Sequence, residues 1–205
     1  ISFEEGITEI AYKLFSNCTG LEEITIPDTV TTIKGNAFYE CSNLAKVKLS
    51  ENLTVIEADA FQECNSLQNI ELPEGLSEIK DRAFYQCSNL KEIKIPDSVT
   101  KIEGSAFYEC KKLQNVTLSK NLESLGSSTF GNCDGLTQIE IPKSLERAGD
   151  DYFASYAPGA FSGCKNLKNV SFEAGTTVIA YKLFSNCTGL EKITIPDTVT
   201  TIKGN

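Results

Sequence analysis

The chain of 205 residues contains no histidine and no methionine, and its acidic side chains outnumber its basic ones. Without histidine, the Ser-His-Asp and Cys-His arrangements that activate nucleophiles cannot form, and most hydrolytic metal sites lose their usual ligand. The formal net charge of −9 disfavours a nucleic-acid partner, because such binders carry basic stripes. No apolar run reaches the length that spans a bilayer, and no glycine-rich phosphate loop is present. The sequence therefore predicts a protein that is not an enzyme and that binds no cofactor or metal.

The strongest pattern that is present is a set of eight regularly spaced cysteines. Six of their seven intervals are 23 residues long, and the remaining interval is 31. A fixed period of this length predicts a solenoid, in which each repeat forms one coil stacked on the previous coil. The cysteines are Cys18, Cys41, Cys64, Cys87, Cys110, Cys133, Cys164 and Cys187.

Each repeat has apolar residues at fixed positions, as in Leu21, Ile24, Ile26, Val30 and Ile33. The alternation of apolar and polar residues around the two isoleucines predicts a short strand with one buried face, and proline ends that strand in five repeats. The repeat closes with Ala-Phe-x-x-Cys, and residues three apart share one face of a helical turn. Each coil is therefore predicted to contain a strand, a turn and a short helical or 3₁₀ segment.

The pattern L-x-x-I-x-I-P-x-x-V-x-x-I-x-x-x-A-F-x-x-C, found from Leu21 to Cys41, resembles the BspA-like class of leucine-rich repeats. The resemblance covers the chain outside residues 146–159. It implies an α/β solenoid, a right-handed stack with one parallel β-sheet and short helical or 3₁₀ segments on the opposite side. It also implies a large surface or secreted protein of bacteria or some protists, associated with adhesion, and it transfers no catalytic residue.

The whole chain, residues 1–205, is predicted to be a single leucine-rich-repeat solenoid. Residues 1–36 and 170–205 are identical at 31 of 36 positions, so the chain holds one superrepeat of 169 residues and the start of a second. This duplication, together with ends that show no polar cap, predicts a fragment of a longer repeat protein. An isolated domain with frayed ends is the alternative.

The cysteines are predicted to be reduced and buried rather than joined in disulfides. Their segment is expected on a wider convex side, where coils lie further apart than the ~4.7–4.9 Å between paired strands. A disulfide needs Cα atoms about 4.4–6.8 Å apart and converging Cβ vectors, whereas residues in one column point the same way. Zinc is disfavoured because the chain has neither a C-x₂-C pair nor a histidine.

The outward polar residues of the predicted strands form the first candidate binding surface. Solenoid sheets commonly present extended binding faces. This row contains no aromatic residue, whereas interface hot spots are enriched in Tyr, Trp and Arg, so a solvated face with alternating charges remains the alternative. The charged candidates in the row are Lys46, Lys48, Glu71, Glu92 and Lys94.

The long interval contains an eight-residue insertion within residues 148–159, which is the second candidate surface. Insertions in solenoids map to surface loops and often carry function. Its three aromatic residues would give a partly apolar patch for a protein or sugar partner, or they fold back to fill the longer coil. Its two aspartates would suit calcium, although an adjacent pair is far from the multi-ligand loop that calcium needs. The candidates here are Asp150, Asp151, Tyr152, Phe153 and Tyr156.

These patterns together predict an extracellular or cell-surface interaction scaffold that adheres to protein partners, on a host or on another cell. A passive spacer in a large surface protein is one alternative. A carbohydrate-binding module that uses the 148–159 insertion, with a glycan as partner, is the other. Tyrosines that follow the core phenylalanine in three repeats, Tyr39, Tyr85 and Tyr108, are predicted to cover the convex side rather than to bind.

Overall fold

A computed structural model of the protein describes residues 3–149 and 158–203. These residues form sixteen short strands, all paired in parallel, and contain no helix. Most coils contribute two strands, separated by the turn that follows the predicted strand. The strands therefore lie in two rows along the stack, one for each position in the coil.

The first-strand row contains the strand predicted from the sequence in every repeat except the one that begins at Leu67, where residues 68–72 form no strand. It consists of β2 (Glu23–Thr25), β4 (Lys46–Lys48), β7 (Glu92–Lys94), β9 (Asn115–Thr117), β11 (Gln138–Ile141), β13 (Asn169–Phe172) and β15 (Lys192–Thr194). The second-strand row follows the turn. It consists of β1 (Glu9–Ile10), β3 (Thr32–Ile33), β5 (Val55–Ile56), β6 (Glu78–Ile79), β8 (Lys101–Ile102), β10 (Ser124–Leu125), β12 (Arg147–Ala148), β14 (Val178–Ile179) and β16 (Thr201–Ile202).

The second-strand row is the more continuous of the two. Its strands β1, β3, β5, β6, β8, β10 and β12 form one seven-stranded parallel sheet, and β14 pairs with β16. Pairing is in register from coil to coil, as in Ile10↔Ile33 and Ile33↔Ile56. The predicted single sheet is therefore wrong. A second short alternation of polar and apolar residues in each coil is enough to pair with its neighbours, and the coil gains a second row of strands.

The predicted helical or 3₁₀ segments are also wrong, because consecutive turns occupy those positions. An α-helix needs each N–H to bond four residues back. Here the donors alternate: Asn36 and Phe38 donate to Ala58 and Ala60 of the next coil, at 3.0 and 2.8 Å, whereas Tyr39 donates to Asn36 at 3.1 Å. Half of the backbone donors thus join coils together, as strands do. We call this segment of each coil the turn row.

Two residues of the turn row in most coils adopt a left-handed backbone conformation. Among residues 3–149 and 158–203, fourteen non-glycine residues have φ between 48° and 61°, usually in pairs four residues apart such as Asn36 and Glu40. The left-handed region costs an L-residue energy that only surrounding structure offsets. The coil-to-coil hydrogen bonds on either side supply that structure, and each left-handed residue also prevents the segment from continuing as a helix.

The core consists of the apolar columns predicted from the sequence. The phenylalanines of the Ala-Phe-x-x-Cys segment stack along the whole molecule, with ring centroids 5.0–5.5 Å apart in successive coils. Offset stacking adds to the large area that each ring buries. Phe3 packs edge-on against Phe15, 6.2 Å away, at the start of this column. Most of the predicted inward positions are buried, as Ile24, Ile33 and Phe38 illustrate, whereas Ile193 and Ile195 of the last coil are exposed.

All eight cysteines are free, and seven of them are buried. The phenylalanine rings in the same segment are 5.0–5.5 Å apart, slightly more than the spacing of paired strands, so distance between the coils does not by itself prevent a disulfide. Each buried thiol instead donates a hydrogen bond to the carbonyl of a phenylalanine in the preceding coil. The Cys87 Sγ, for example, donates to the Phe61 carbonyl at 3.1 Å. Burial raises the pKa of Cys87 to about 12. A low thiolate population suppresses oxidation, which requires the thiolate.

The stack continues on both sides of the insertion. Strand β12 pairs with β10 before it, and Phe161 stacks on Phe130 at 5.2 Å after it. The insertion therefore leaves the register of the columns unchanged. The candidates Asp150, Asp151, Tyr152, Phe153 and Tyr156 lie outside the described residues. Among the residues that are described, no helix has the length and apolarity needed to cross a bilayer.

Candidate interaction surface

The charged candidates of the first-strand row are all exposed, and four of them lie on short strands, whereas Glu71 lies in the coil that forms no strand in this row. Lys46 and Lys48 lie on β4, where each faces the residue one coil back, Glu23 and Thr25 respectively. The Lys46 Nζ is 4.0 Å from the Glu23 carboxylate, and both side chains are more than 70% exposed. Exposed pairs of this kind contribute little to stability. These lysines are therefore free to contact a partner at small cost to the fold.

Glu92 and Lys94 lie on β7 and face Asn115 and Thr117 of the following coil. The Lys94 ammonium reaches back to Glu74 of the preceding coil, with 3.0 Å between Nζ and Oε1. Both members of this pair are also largely exposed. Charges thus alternate in sign along the row, as the sequence predicts, and the pairs between coils are loose and hydrated.

A groove of about 680 Å³ brings three of the five charged candidates together. Its walls are residues 45–51 and 68–74, and they carry Lys46, Lys48 and Glu71. The floor is apolar and includes the partly exposed side chains of Val47 and Leu72. An apolar floor rimmed by charges of both signs has the usual composition of a small recognition site. Glu92 and Lys94 lie outside this groove, on β7.

A second groove, of about 570 Å³, lies on the same row 69 residues further along the chain. Its walls include residues 114–117 and 138–140, and its polar lining is largely uncharged. Sequence reasoning missed it because the selection of candidates followed charge. A longer internal repeat in the sequence could have indicated the second groove, because residues 21–41 and 90–110, three coils apart, share most of their sequence.

Beside each groove, side chains join neighbouring coils on the paired steps of the row. The Asp28 carboxylate accepts the Glu51 N–H at 3.0 Å, and the Asn52 side-chain amide donates to the Asp28 carbonyl at 2.9 Å. The hydroxyl of Ser50, which is fully buried, accepts the Asn52 N–H at 3.1 Å. We call this arrangement the Asp–Asn clamp. It recurs three coils later in Asp97, Ser119, Lys120 and Asn121.

The tyrosines of the turn row are half-buried and engaged with one another. Tyr85 and Tyr108 stack with ring centroids 5.2 Å apart, and the Asn132 amide donates to the Tyr108 hydroxyl at 2.7 Å. A hydrogen bond with Glu40 raises the pKa of Tyr39 to about 12. Glutamine occupies position 62 between Tyr39 and Tyr85, so the three rings do not form one stripe. Their contacts agree with the predicted covering role.

Several known proteins resemble the chain. A leucine-rich repeat protein of T. pallidum is 27% identical over 93% of this chain and 75% of its own length, with a TM-score of 0.56. A leucine-rich repeat protein of Eubacterium ventriosum is 19% identical over 97% of this chain and 70% of its own, with a TM-score of 0.51. One from Bacteroides ovatus is 25% identical over 100% of this chain and 67% of its own, with a TM-score of 0.48. No curated protein is significantly similar to the chain.

The family assignment comes from the repeat itself. The model of the BspA-type leucine-rich repeat region matches in six copies, over residues 1–102, 31–158 and 155–205. These ranges together span the chain, and the T. pallidum and E. ventriosum structures share its solenoid fold. The chain therefore belongs to the BspA-type leucine-rich repeat family.

Proposed function

We propose that the chain is an extracellular or cell-surface interaction scaffold that adheres to protein partners and performs no catalysis. Leucine-rich repeats of this family form repeat scaffolds for interaction. The observation that carries the proposal is the groove with Lys46 and Lys48 on one wall, Glu71 on the other, and a partly exposed apolar floor. Its charged side chains have only loose partners within the fold, so they remain available to a ligand.

The groove favours a protein surface of mixed charge as the ligand. Charges of both signs on opposite walls select a partner that presents the opposite arrangement, and this selection raises specificity and the association rate more than it raises affinity. The partly exposed Val47 and Leu72 would accept a small apolar side chain at the centre of such a contact. A nucleic acid would be repelled by the net charge of −9.

A screen of the immobilised chain against a panel of soluble cell-surface ectodomains tests this proposal. For an ectodomain that binds, the variant K46E/K48E should weaken binding by about tenfold or more, because it reverses one wall of the groove. The matched control K101E reverses an exposed lysine on the second-strand row and should leave binding unchanged. Equal affinity for both variants would contradict the assignment of the groove.

The alternative functions make different predictions in the same experiments. A passive spacer is favoured by the continuous second-strand row and phenylalanine column, and it predicts that no ectodomain binds. The carbohydrate-binding alternative places the ligand at the insertion. It predicts a signal on a glycan array that is lost in the variant Y152A/F153A/Y156A and kept in K46E/K48E.

A further inference from the structure

The first-strand row is interrupted at two places along the stack. Within residues 3–149 and 158–203, the coil at residues 68–72 forms no strand: no backbone hydrogen bond joins it to residues 45–49, and only the Lys91 N–H, which donates to the Gln68 carbonyl, joins it to residues 91–95. No backbone hydrogen bond joins residues 114–118 to residues 137–141. Intact positions of the same row have such bonds: Ile26 donates to Lys48, and Ile95 to Thr117, each at 2.8 Å. The row therefore consists of three blocks, namely β2–β4, β7–β9 and β11–β13–β15.

The same coils remain tightly joined on their other two sides. The second-strand row runs unbroken from β1 to β12 past both interruptions. The phenylalanine column also passes them without widening, with 5.0 Å between Phe38 and Phe61 and 5.1 Å between Phe107 and Phe130. Only the first-strand side is open, and both grooves lie there.

Side chains that join neighbouring coils accompany three of the four paired steps of the row in the part of the chain that the structure describes. An Asp–Asn clamp spans β2–β4 and another spans β7–β9. Glu173 spans β11–β13 in a comparable way, because its carboxylate accepts the Lys143 N–H at 3.1 Å. At the first interruption, the positions that correspond to Asp28 and Asn52 hold Glu51 and Gly75. Gly75 has no side chain to donate, so this step lacks the clamp.

We propose that the two interruptions are hinges, at which the solenoid bends by opening its first-strand side. The second-strand row and the phenylalanine column fix the length of the stack on the other sides, so motion is confined to one direction. Bending widens or narrows the grooves over Val47 and Val116, whose side chains are already partly exposed. The hinges follow from the backbone pairing of the coils, and they do not depend on which ligand the proposed scaffold binds.

Distance measurements between paired spin labels test the first hinge, at residues 68–72, in the full chain. Labels are attached to p-acetylphenylalanine, so that the eight native thiols stay untouched. One pair replaces Thr25 and Lys94 on the first-strand row, and the control pair replaces Thr31 and Thr100 beside the second-strand row. Both pairs are 69 residues apart and span the same coils. The distance distribution should be about twofold broader for the first pair, because only that side opens. Equal widths would overturn the proposal.

An engineered clamp supplies the reciprocal test. The variant E51D/G75N installs the missing clamp residues, and a side chain at Gly75 meets no atom within 4 Å. It should narrow the distribution of the Thr25–Lys94 pair and slow hydrogen exchange at the amides of residues 69–71 by about 100-fold, towards the rate of Ile26. The opposite variant, D28A/N52A, should speed exchange at Ile26. Narrow distributions in the parent chain, or amides at residues 69–71 that are as protected as Ile26, would refute the hinge whether or not the clamp forms.

Discussion

The buried thiol column should make the protein unfold sharply at alkaline pH. Burial raises the pKa values of the buried thiols above their ordinary value of 9.0, to about 12 for Cys87 and Cys164. A thiol whose folded-state pKa lies above its unfolded value makes its full contribution to the stability of the fold below pH 9. That stability is lost as the pH rises towards the folded pKa, because only the unfolded chain can ionise its thiols.

The size of the effect follows from the number of deeply buried thiols. Each contributes a loss of about 1.4 kcal/mol per pH unit once the unfolded thiols are ionised. Five such thiols together remove about 7 kcal/mol per pH unit, against a typical total stability of about 5–15 kcal/mol. The fold should therefore be lost within about two pH units above 9. The five are Cys64, Cys87, Cys110, Cys133 and Cys164.

Urea denaturation at a series of pH values, followed by circular dichroism and by thiolate absorbance, measures this loss. The matched control is Cys87→Ser, whose hydroxyl can still donate to the Phe61 carbonyl but does not ionise in this range. The slope of unfolding free energy against pH should become shallower by about 1.4 kcal/mol per unit in this variant. Tyr39 and Tyr85 also have raised pKa values, but both are present in the parent and in the variant, so their contributions to the slope cancel in the comparison. Ionisation of several of these five thiols near pH 9, in a chain that remains folded, would refute the reasoning.

Two further predictions concern packing, and both are measured as shifts in the free energy of unfolding. Phe84→Ala removes a ring that stacks on both neighbours and should cost about 3–5 kcal/mol, whereas Tyr85→Ala on the half-exposed side of the same turn should cost far less. Similar losses for the two would mean that the column does not dominate the core. Gly126→Ala should cost about 1–3 kcal/mol because its Cβ would overlap the Gly104 backbone, while Gly75→Ala meets open space and should be nearly neutral. A neutral Gly126→Ala would show that the coils there are further apart than described.

The buried columns were predictable from the sequence, since Ile24, Ile33 and Phe38 recur at one period and all face the core. The secondary structure of the turn row was not. A spacing of three between Phe38 and Cys41 suits a helical turn, and it suits equally a chain of turns whose donors alternate between coils. A helical turn and this chain of turns differ in the acceptors of their backbone N–H groups, and the sequence of a single repeat does not show those acceptors.

The candidate surface shows the same division. The outward positions of Lys46, Lys48 and Glu71 followed from alternation within each strand, and the structure places all three at one groove. The groove lies at a step where the residues that join the preceding pair of coils, Asp28 and Asn52, have no counterpart, because Glu51 and Gly75 occupy their positions. An interpretation that considered each strand by itself could therefore not predict that these three charged candidates lie at one groove.

The left-handed positions of the turn row place a second requirement on the repeat of this chain, independent of its leucines. None of the fourteen non-glycine residues at these positions is β-branched, and most are Asn, Glu, Lys, Asp or Gln. Branching at Cβ makes a positive φ strongly unfavourable, so valine, isoleucine and threonine are excluded there on steric grounds. A new coil designed for this stack must satisfy that exclusion at both positions, four residues apart, as strictly as it must supply the phenylalanine and the cysteine.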